Sequence, residues 1–138
     1  MRSLAGSIRD SAKLAQAYAS ATTAKIAVVT GKAYGSAYVA LASTAAGSDF
    51  TFAWEGAVIA PTTPEAAVVF LNGVSEDNAK QAQEDADNEA DAFTAAANGY
   101  VDRVITAEDT KSALTSAIEA TSSKRVVTPA KKHVNFVY

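Results

Sequence analysis

The chain has 138 residues, 49% hydrophobic and 20% charged, which suits one globular domain with a real core and excludes a disordered chain. It contains no cysteine and a single histidine, His133, so disulfides, thiolate chemistry and cysteine-held zinc or iron–sulfur sites are excluded. The formal net charge of −3 argues against nucleic acid as a partner. No apolar run is long enough to span a membrane and the first residues lack the pattern of a signal peptide, so the chain reads as cytoplasmic.

Alanine is the outlier, at 32 of the 138 residues. Alanine favours helix and lets helices approach closely. The pattern leaves most of the core filling to the larger apolar side chains. Charge is uneven: seven acids and one lysine lie between Glu76 and Asp91, and four bases and no acid between Lys124 and Lys132. Both stretches read either as solvated surface or as complementary contact patches between subunits.

Helix and strand alternate along the chain. Residues 7–21 read as helix, with Leu4, Ile8, Ala12, Ala15 and Ala19 (or Tyr18) at helical steps. Residues 25–30 (KIAVVT) are almost wholly apolar and rich in β-branched residues, the pattern of a strand covered on both faces. Residues 31–35 (GKAYG) read as a turn and 36–46 as helix. Residues 49–54 (DFTFAW) alternate, with Phe50, Phe52 and Trp54 on one face, and 57–60 form another short strand. Thr63 caps a helix opened by Pro64 and stopped at Asn72-Gly73. Ser75 caps a longer helix with a seam of Ala82, Ala86, Ala90, Phe93 and Ala97, stopped at Asn98-Gly99. Residues 100–105 read as strand. Thr106 caps a final helix with Glu108 and Asp109 early and Lys124 and Arg125 just past its end, as the helix dipole favours. Pro129 begins an extended tail. The result is an α/β chain forming one domain over 1–138.

The junction of strand 25–30, the glycine turn and the next helix carries the chemistry. A helix start leaves N–H groups unpaired and partly positive. Gly31 and Gly35 allow unusual dihedrals and close approach to the backbone. Residues 35–37 therefore form either an anion or oxyanion site made of backbone alone, or an ordinary turn. Asp49, Asp102 and Glu108 show no metal-ligand spacing and read as caps or surface residues. No metal site is evident. Trp54 reads as core, and Glu55 as a solvated turn residue.

The segment KIAVVTGKAYGSAYVALAS (25–43) resembles the C-terminal lobe of the biotin-dependent acyl-CoA carboxyltransferases, whose strand leads into a KAYGGAY-like motif. The resemblance continues in order through DFTFAWEGAVIA (49–60), PEAAVVFL (64–71), GYVDRVI (99–105) and SKRVVTPAKKHVNF (123–136). GSAY in place of GGAY, with the earlier VVTG, is most similar to the branch of methylmalonyl-CoA or glutaconyl-CoA decarboxylases. The resemblance implies a crotonase-like fold of ββα units, here the later part of one lobe. It implies a subunit whose N-terminal lobe holds coenzyme A and whose C-terminal lobe holds biotin borne on a biotin carboxyl carrier protein.

By the same resemblance, the backbone N–H groups of Ser36 and Ala37 form the biotin-side oxyanion hole. Tyr34, Gly35 and Tyr38 contact biotin, and Val39 lines the acyl pocket. From the residues alone, Tyr34 and Tyr38 are either pocket wall or core, and Val39 is either pocket or helix core. His133 reads as a surface or subunit contact. The family's segments ahead of Met1 have no counterpart here, so the chain reads as a fragment or as one piece of a split subunit, active once an N-terminal lobe completes it. Expected partners are that lobe, the carrier protein, an acyl-CoA, other copies in an oligomer and, in the decarboxylase branch, a membrane decarboxylase subunit. A non-catalytic assembly module is the alternative. An enoyl-CoA hydratase-like enzyme fits less well, since a matching carboxylate pair is missing.

Overall fold

In the computed structural model the residues described are 4–41, 44–63, 66–67, 69–70 and 90–127. In chain order they form α1 (Leu4–Ser20), β1 (Ile26–Val29), β2 (Lys32–Tyr34), α2 (Gly35–Leu41), a 3₁₀ turn (Thr44–Ala46), β3 (Phe50–Trp54) and β4 (Val58–Ala60). Short helical stretches at 66–67 and 69–70 follow, then α3 (Ala92–Ala97), β5 (Arg103–Ile105) and α4 (Thr110–Thr121).

The strands build two parallel sheets. β1, β3 and β5 pair in that order, with Ile26 opposite Phe50 and Phe52 opposite Arg103. β2 pairs with β4, Lys32 opposite Val58. The chain therefore repeats a unit: a strand in the first sheet, a short turn, a strand in the second sheet, then helix. Residues 31–35, expected as a glycine turn, instead hold β2. Its three residues are fixed by a ladder to a strand more than twenty residues away, which leaves no local signal in so short a run.

β3 is the centre of the first sheet and separates two cores. Its Phe52 faces Ile105, Ala113 and Ala117, with Ile26, Val28, Phe50 and Trp54 around them, so α4 covers this face. Phe50 and Phe52 stack 6.1 Å apart. Ala53 faces the other way, into a core of Val29, Ala57, Ile59, Ala92, Ala95 and Val101. Among the described residues most of the buried apolar residues are alanines, and the largest fully buried side chain is Thr51. The larger side chains expected to fill the core, Phe52, Ile59, Ile105, Val29 and Val101, share it with these alanines. Trp54 is half-buried beside the α4 core, its Nε1–H donating to Thr110 Oγ1 at 2.9 Å.

The same aspartate device closes both joints of the first sheet. Asp49, one residue before β3, donates its N–H to Lys25 O (2.8 Å) and accepts the Lys25 N–H on Oδ2 (2.7 Å). Asp102, one residue before β5, does the same with Thr51, at 2.9 and 2.7 Å. A carboxylate thus stands in for one more ladder residue. Lys124 Nζ adds an ion pair to Asp49 Oδ2 at 2.7 Å and donates to Thr23 O. Lys124, expected just past the end of α4, thus ties that end to the starts of β1 and β3.

Several helices differ from the expected spans. α1 starts at Leu4, and along its expected seam Ile8 (75%) and Ala19 are exposed while Ala12, Ala15 and Tyr18 are half-buried. The helix expected over 36–46 ends at Leu41, with a separate 3₁₀ turn after it. The long helix expected from Ser75 to Asn98 does not continue through Ala90. Asp91 is extended (φ −70, ψ 162), its carboxylate accepts the Thr94 N–H at 2.6 Å, and α3 begins there. Phe93 is 58% exposed and Ala97 is exposed, whereas Ala92 and Ala95 are buried, so the seam expected through Phe93 is not the packed face. Ala82, Ala86 and the rest of that stretch lie outside the described residues, as do Asn72-Gly73, His133 and the tail from Pro129. Thr63 does act as a cap, accepting the Ala66 N–H at 3.4 Å. Thr106 and Asp109 bond reciprocally ahead of α4, Asp109 donating its N–H to Thr106 Oγ1 and accepting the Thr106 hydroxyl. The strand expected over 100–105 is shorter, Arg103–Ile105, because Val101 and Asp102 serve as core and clasp.

Candidate functional site

β2 runs into α2 with no loop between them. Tyr34 ends the strand and Gly35 opens the helix at φ 63. That left-handed value is what lets the backbone turn from extended to helical within one residue, and it favours glycine. Gly31, expected to share this freedom, does not have positive φ. A Cβ placed on Gly35 would meet only Pro61 O, at 3.9 Å, so there is room beside this residue.

Residues four before Ser36 and Ala37 are Lys32 and Ala33, both in β2. Their carbonyls are not those of a preceding helical turn, so the N–H groups of Ser36 and Ala37 belong to the set an α-helix leaves without internal partners. They carry the positive end of the peptide dipoles.

Tyr34 and Tyr38 are both half-buried. Tyr38 packs against the core that contains Val29 and Ala92. Burial raises its phenol pKa above 10.0, and the negative charge Tyr100 would carry raises it further. Ala40 is buried at 2% exposure, while Val39 is 49% exposed. Val39 is therefore not a buried core residue of α2.

Sequence reasoning did not connect Tyr100 to this helix. The Asn98-Gly99 stop was legible, and it is what places Tyr100. Gly99 (φ 78) donates its N–H to Ala96 O at 3.0 Å, and the Tyr100 N–H reaches Ala95 O at 2.9 Å, the paired bonds of a glycine C-terminal cap. Residue spacing gives no hint that this cap faces α2.

A groove of about 390 Å³ lies at the other end of α2, lined by Ala17, Tyr18, Ala21, Lys25, Ile26 and Leu41 among others. None of Tyr34, Gly35, Tyr38 or Val39 lines it. Lys25 Nζ there donates to Tyr18 O at 2.7 Å. Among the described residues no cluster of histidine and acidic side chains could hold a metal ion, and no helix is long and apolar enough to cross a membrane.

Residues 3–136 match the family model described as the carboxyl transferase domain. The chain is 40% identical over 139 residues to the methylmalonyl-CoA carboxyltransferase 12S subunit of Propionibacterium freudenreichii subsp. shermanii, covering 95% of this chain and 26% of that one. It is 37% identical over 130 residues to the methylmalonyl-CoA decarboxylase subunit alpha of Veillonella parvula, covering 94% of this chain and 26% of that one. A crystal structure of transcarboxylase 12S, described as a hexamer with methylmalonyl-coenzyme A and methylmalonic acid bound, superposes with a TM-score of 0.87 at 39% identity. It covers 95% of this chain and 26% of that one. The chain thus spans about a quarter of the length of these relatives. The two-sheet ββα arrangement is the crotonase-like fold.

Proposed function

The chain belongs to the carboxyl transferase domain family, and from that premise we propose that it supplies the biotin-facing part of an acyl-CoA carboxyltransferase, which moves a carboxyl group between biotin and an acyl-CoA. The observation that carries this reading is the β2–α2 junction. Gly35 at φ 63 delivers the chain directly into a helix start, inside the segment that aligns with a methylmalonyl-CoA carboxyltransferase.

The donor set fits biotin. A ureido group is planar and neutral, with one carbonyl oxygen to satisfy, and two adjacent backbone N–H groups match it without bringing a net charge. Gly35 presents no side chain to block it. When bound, biotin supplies the nitrogen that carries the carboxyl group and the oxygen on which negative charge collects. The Ser36 and Ala37 N–H groups hold that charge, and a single donor of this kind is worth about a hundred- to a thousandfold in rate. Tyr34 and Tyr38 wall the site. With its pKa raised, Tyr38 stays protonated at neutral pH and places no negative charge beside the oxyanion. Val39, 49% exposed, lines the acyl pocket, where one methylene of fit is worth about 1–3 kcal/mol. The remaining contribution is placement of the reactants, which in such reactions accounts for much of the barrier.

The reading assigns three partners: a lobe that binds coenzyme A, a biotin carboxyl carrier protein, and further copies in an oligomer. The test uses the chain joined to its companion lobe, with free biotin as acceptor. Ala37→Pro removes one donor at a first-turn position, where proline is tolerated, and Ala37→Gly keeps it. The proline variant is expected to lose about a hundredfold or more in turnover and the glycine variant to lose little, with circular dichroism confirming that both fold. Equal rates in the two folded variants would remove the oxyanion role and leave an assembly role as the better account.

A further inference from the structure

Tyr100 reaches the β2–α2 junction from a distant part of the chain. Its N–H donates to Ala95 O at 2.9 Å, and the next residue, Val101, is 3% exposed. Ala95 and Val101 belong to the core cluster against which Tyr38 packs. The core beside Tyr38 therefore holds the backbone of Tyr100 on both sides, while its side chain is 56% exposed. The two phenols are near enough that a negative charge on Tyr100 raises the pKa of Tyr38. Helical side chains lean toward the N-terminus of their helix, so Tyr38 leans back toward Gly35, where β2 ends and α2 begins.

A phenol hydroxyl taken even partly out of water ordinarily keeps a hydrogen-bond partner. Among the described residues neither the Tyr38 nor the Tyr100 hydroxyl has one, and the Tyr38 hydroxyl is not sealed in the core. The fold does not call for a tyrosine at position 100. The cap after α3 uses Gly99 and the backbone N–H of residue 100, and the core takes Val101. The Tyr100 side chain serves neither. Two phenol donors without protein partners thus stand together at one junction, brought from two elements.

We propose that Tyr100 is a substrate-contacting residue of the biotin-facing site, its hydroxyl and that of Tyr38 donating hydrogen bonds to the carboxylate of the group in transfer. The proposal rests on the biotin-facing reading above and adds to it a contact for the group being moved. A carboxylate has two oxygens to satisfy, and two phenols supply one donor each. Neutral donors suit the step. As the carboxyl group detaches as carbon dioxide, its negative charge passes to the atom left behind. A cation holding the carboxylate would bind about twice as strongly as a neutral donor and would favour the state before transfer. Binding spent on that state does not speed the reaction.

The test uses the chain joined to its companion lobe and reads binding before turnover. Calorimetry compares free biotin with biotin carrying a methoxycarbonyl group on the ureido nitrogen, a stable stand-in for the carboxylated ring. Tyr100→Phe keeps the ring and loses the hydroxyl. It should weaken the stand-in by about tenfold and free biotin little. In turnover with methylmalonyl-CoA and free biotin, kcat/KM for biotin should fall by a similar factor. KM for methylmalonyl-CoA and the melting temperature should stay at parent values, which a merely structural role would move. Ala37→Pro, which acts on the ureido oxygen, should weaken both probes. Tyr100→Phe that spares the stand-in, or weakens both probes equally, overturns the proposal. If Ala37→Pro still weakens both, only the phenol contact falls. Selective loss of the stand-in in Tyr100→Phe with Ala37→Pro neutral leaves the phenol contact standing and removes the backbone oxyanion role. A parent that binds neither probe overturns both.

Discussion

Two aspartates hold the first sheet in register, and each can be probed alone. Asp102 Oδ2 accepts the N–H of Thr51, a residue with 0% exposure. Asp102→Ala removes that acceptor and should destabilise the chain by about 1–3 kcal/mol in urea unfolding. Asp102→Asn, which keeps an accepting oxygen, should cost less. Asp49 carries a pH signature. Its hydrogen bond from Lys124, then that from the Lys25 N–H, hold its pKa below the ordinary 3.8. A folded-state value below the unfolded one contributes stability that is full above the unfolded value and is lost as pH falls through the folded one. Unfolding midpoints followed downward from pH 6 should therefore fall less steeply below about pH 4 for Asp49→Asn than for the parent. An identical acid limb in the two would show that the clasp does not form in solution. The sequence marked both aspartates as caps or surface groups. Their actual partners, Lys25 just ahead of β1 and Thr51 in β3, are reached only through the parallel crossovers, which spacing cannot reveal.

The elements follow the same logic. Strands with their own composition, such as Ile26–Val29 and Phe50–Trp54, were legible from β-branched and alternating residues. β2 was not, because its three residues owe their state to β4. The break at Ala90–Asp91 was hidden in an alanine-rich stretch with no Gly or Pro to stop a helix. Only the N-cap chemistry of Asp91 marks it, and seven acids in sixteen residues gave no reason to single out one. Gly35 tests the junction that matters for function. Space is available for a Cβ there, so Gly35→Ala probes backbone strain alone. The left-handed conformation costs an alanine about 1–2 kcal/mol, and the variant should lose that much stability in urea unfolding. Because relief of the strain would move the Ser36 and Ala37 N–H groups, carboxyl transfer in the joined enzyme should fall more than substrate affinity. A variant as stable and as active as the parent would mean that residue 35 relaxes without moving the helix start.

At the scale of the molecule, the order of motifs along the chain carried the fold, and the match over residues 3–136 agrees with it. What the sequence did not convey is how thin the core is. Among the described residues, alanines such as Ala53, Ala92, Ala95, Ala113 and Ala117 make up most of it, while Phe70, Phe93 and Tyr100 remain 88%, 58% and 56% exposed. Large residues read as core in a one-domain scheme are available at the surface, where a lobe or a subunit can cover them. The central claim is that this chain holds the biotin side of a shared site and that a companion lobe holds the acyl-CoA side. Methylmalonyl-CoA decarboxylation with free biotin tests it directly, measured for the chain alone, the companion lobe alone, and the two together. The account predicts turnover only in the mixture, abolished by Ala37→Pro. Robust turnover by the monomeric chain alone, or none gained on mixing when the complex forms, would contradict it.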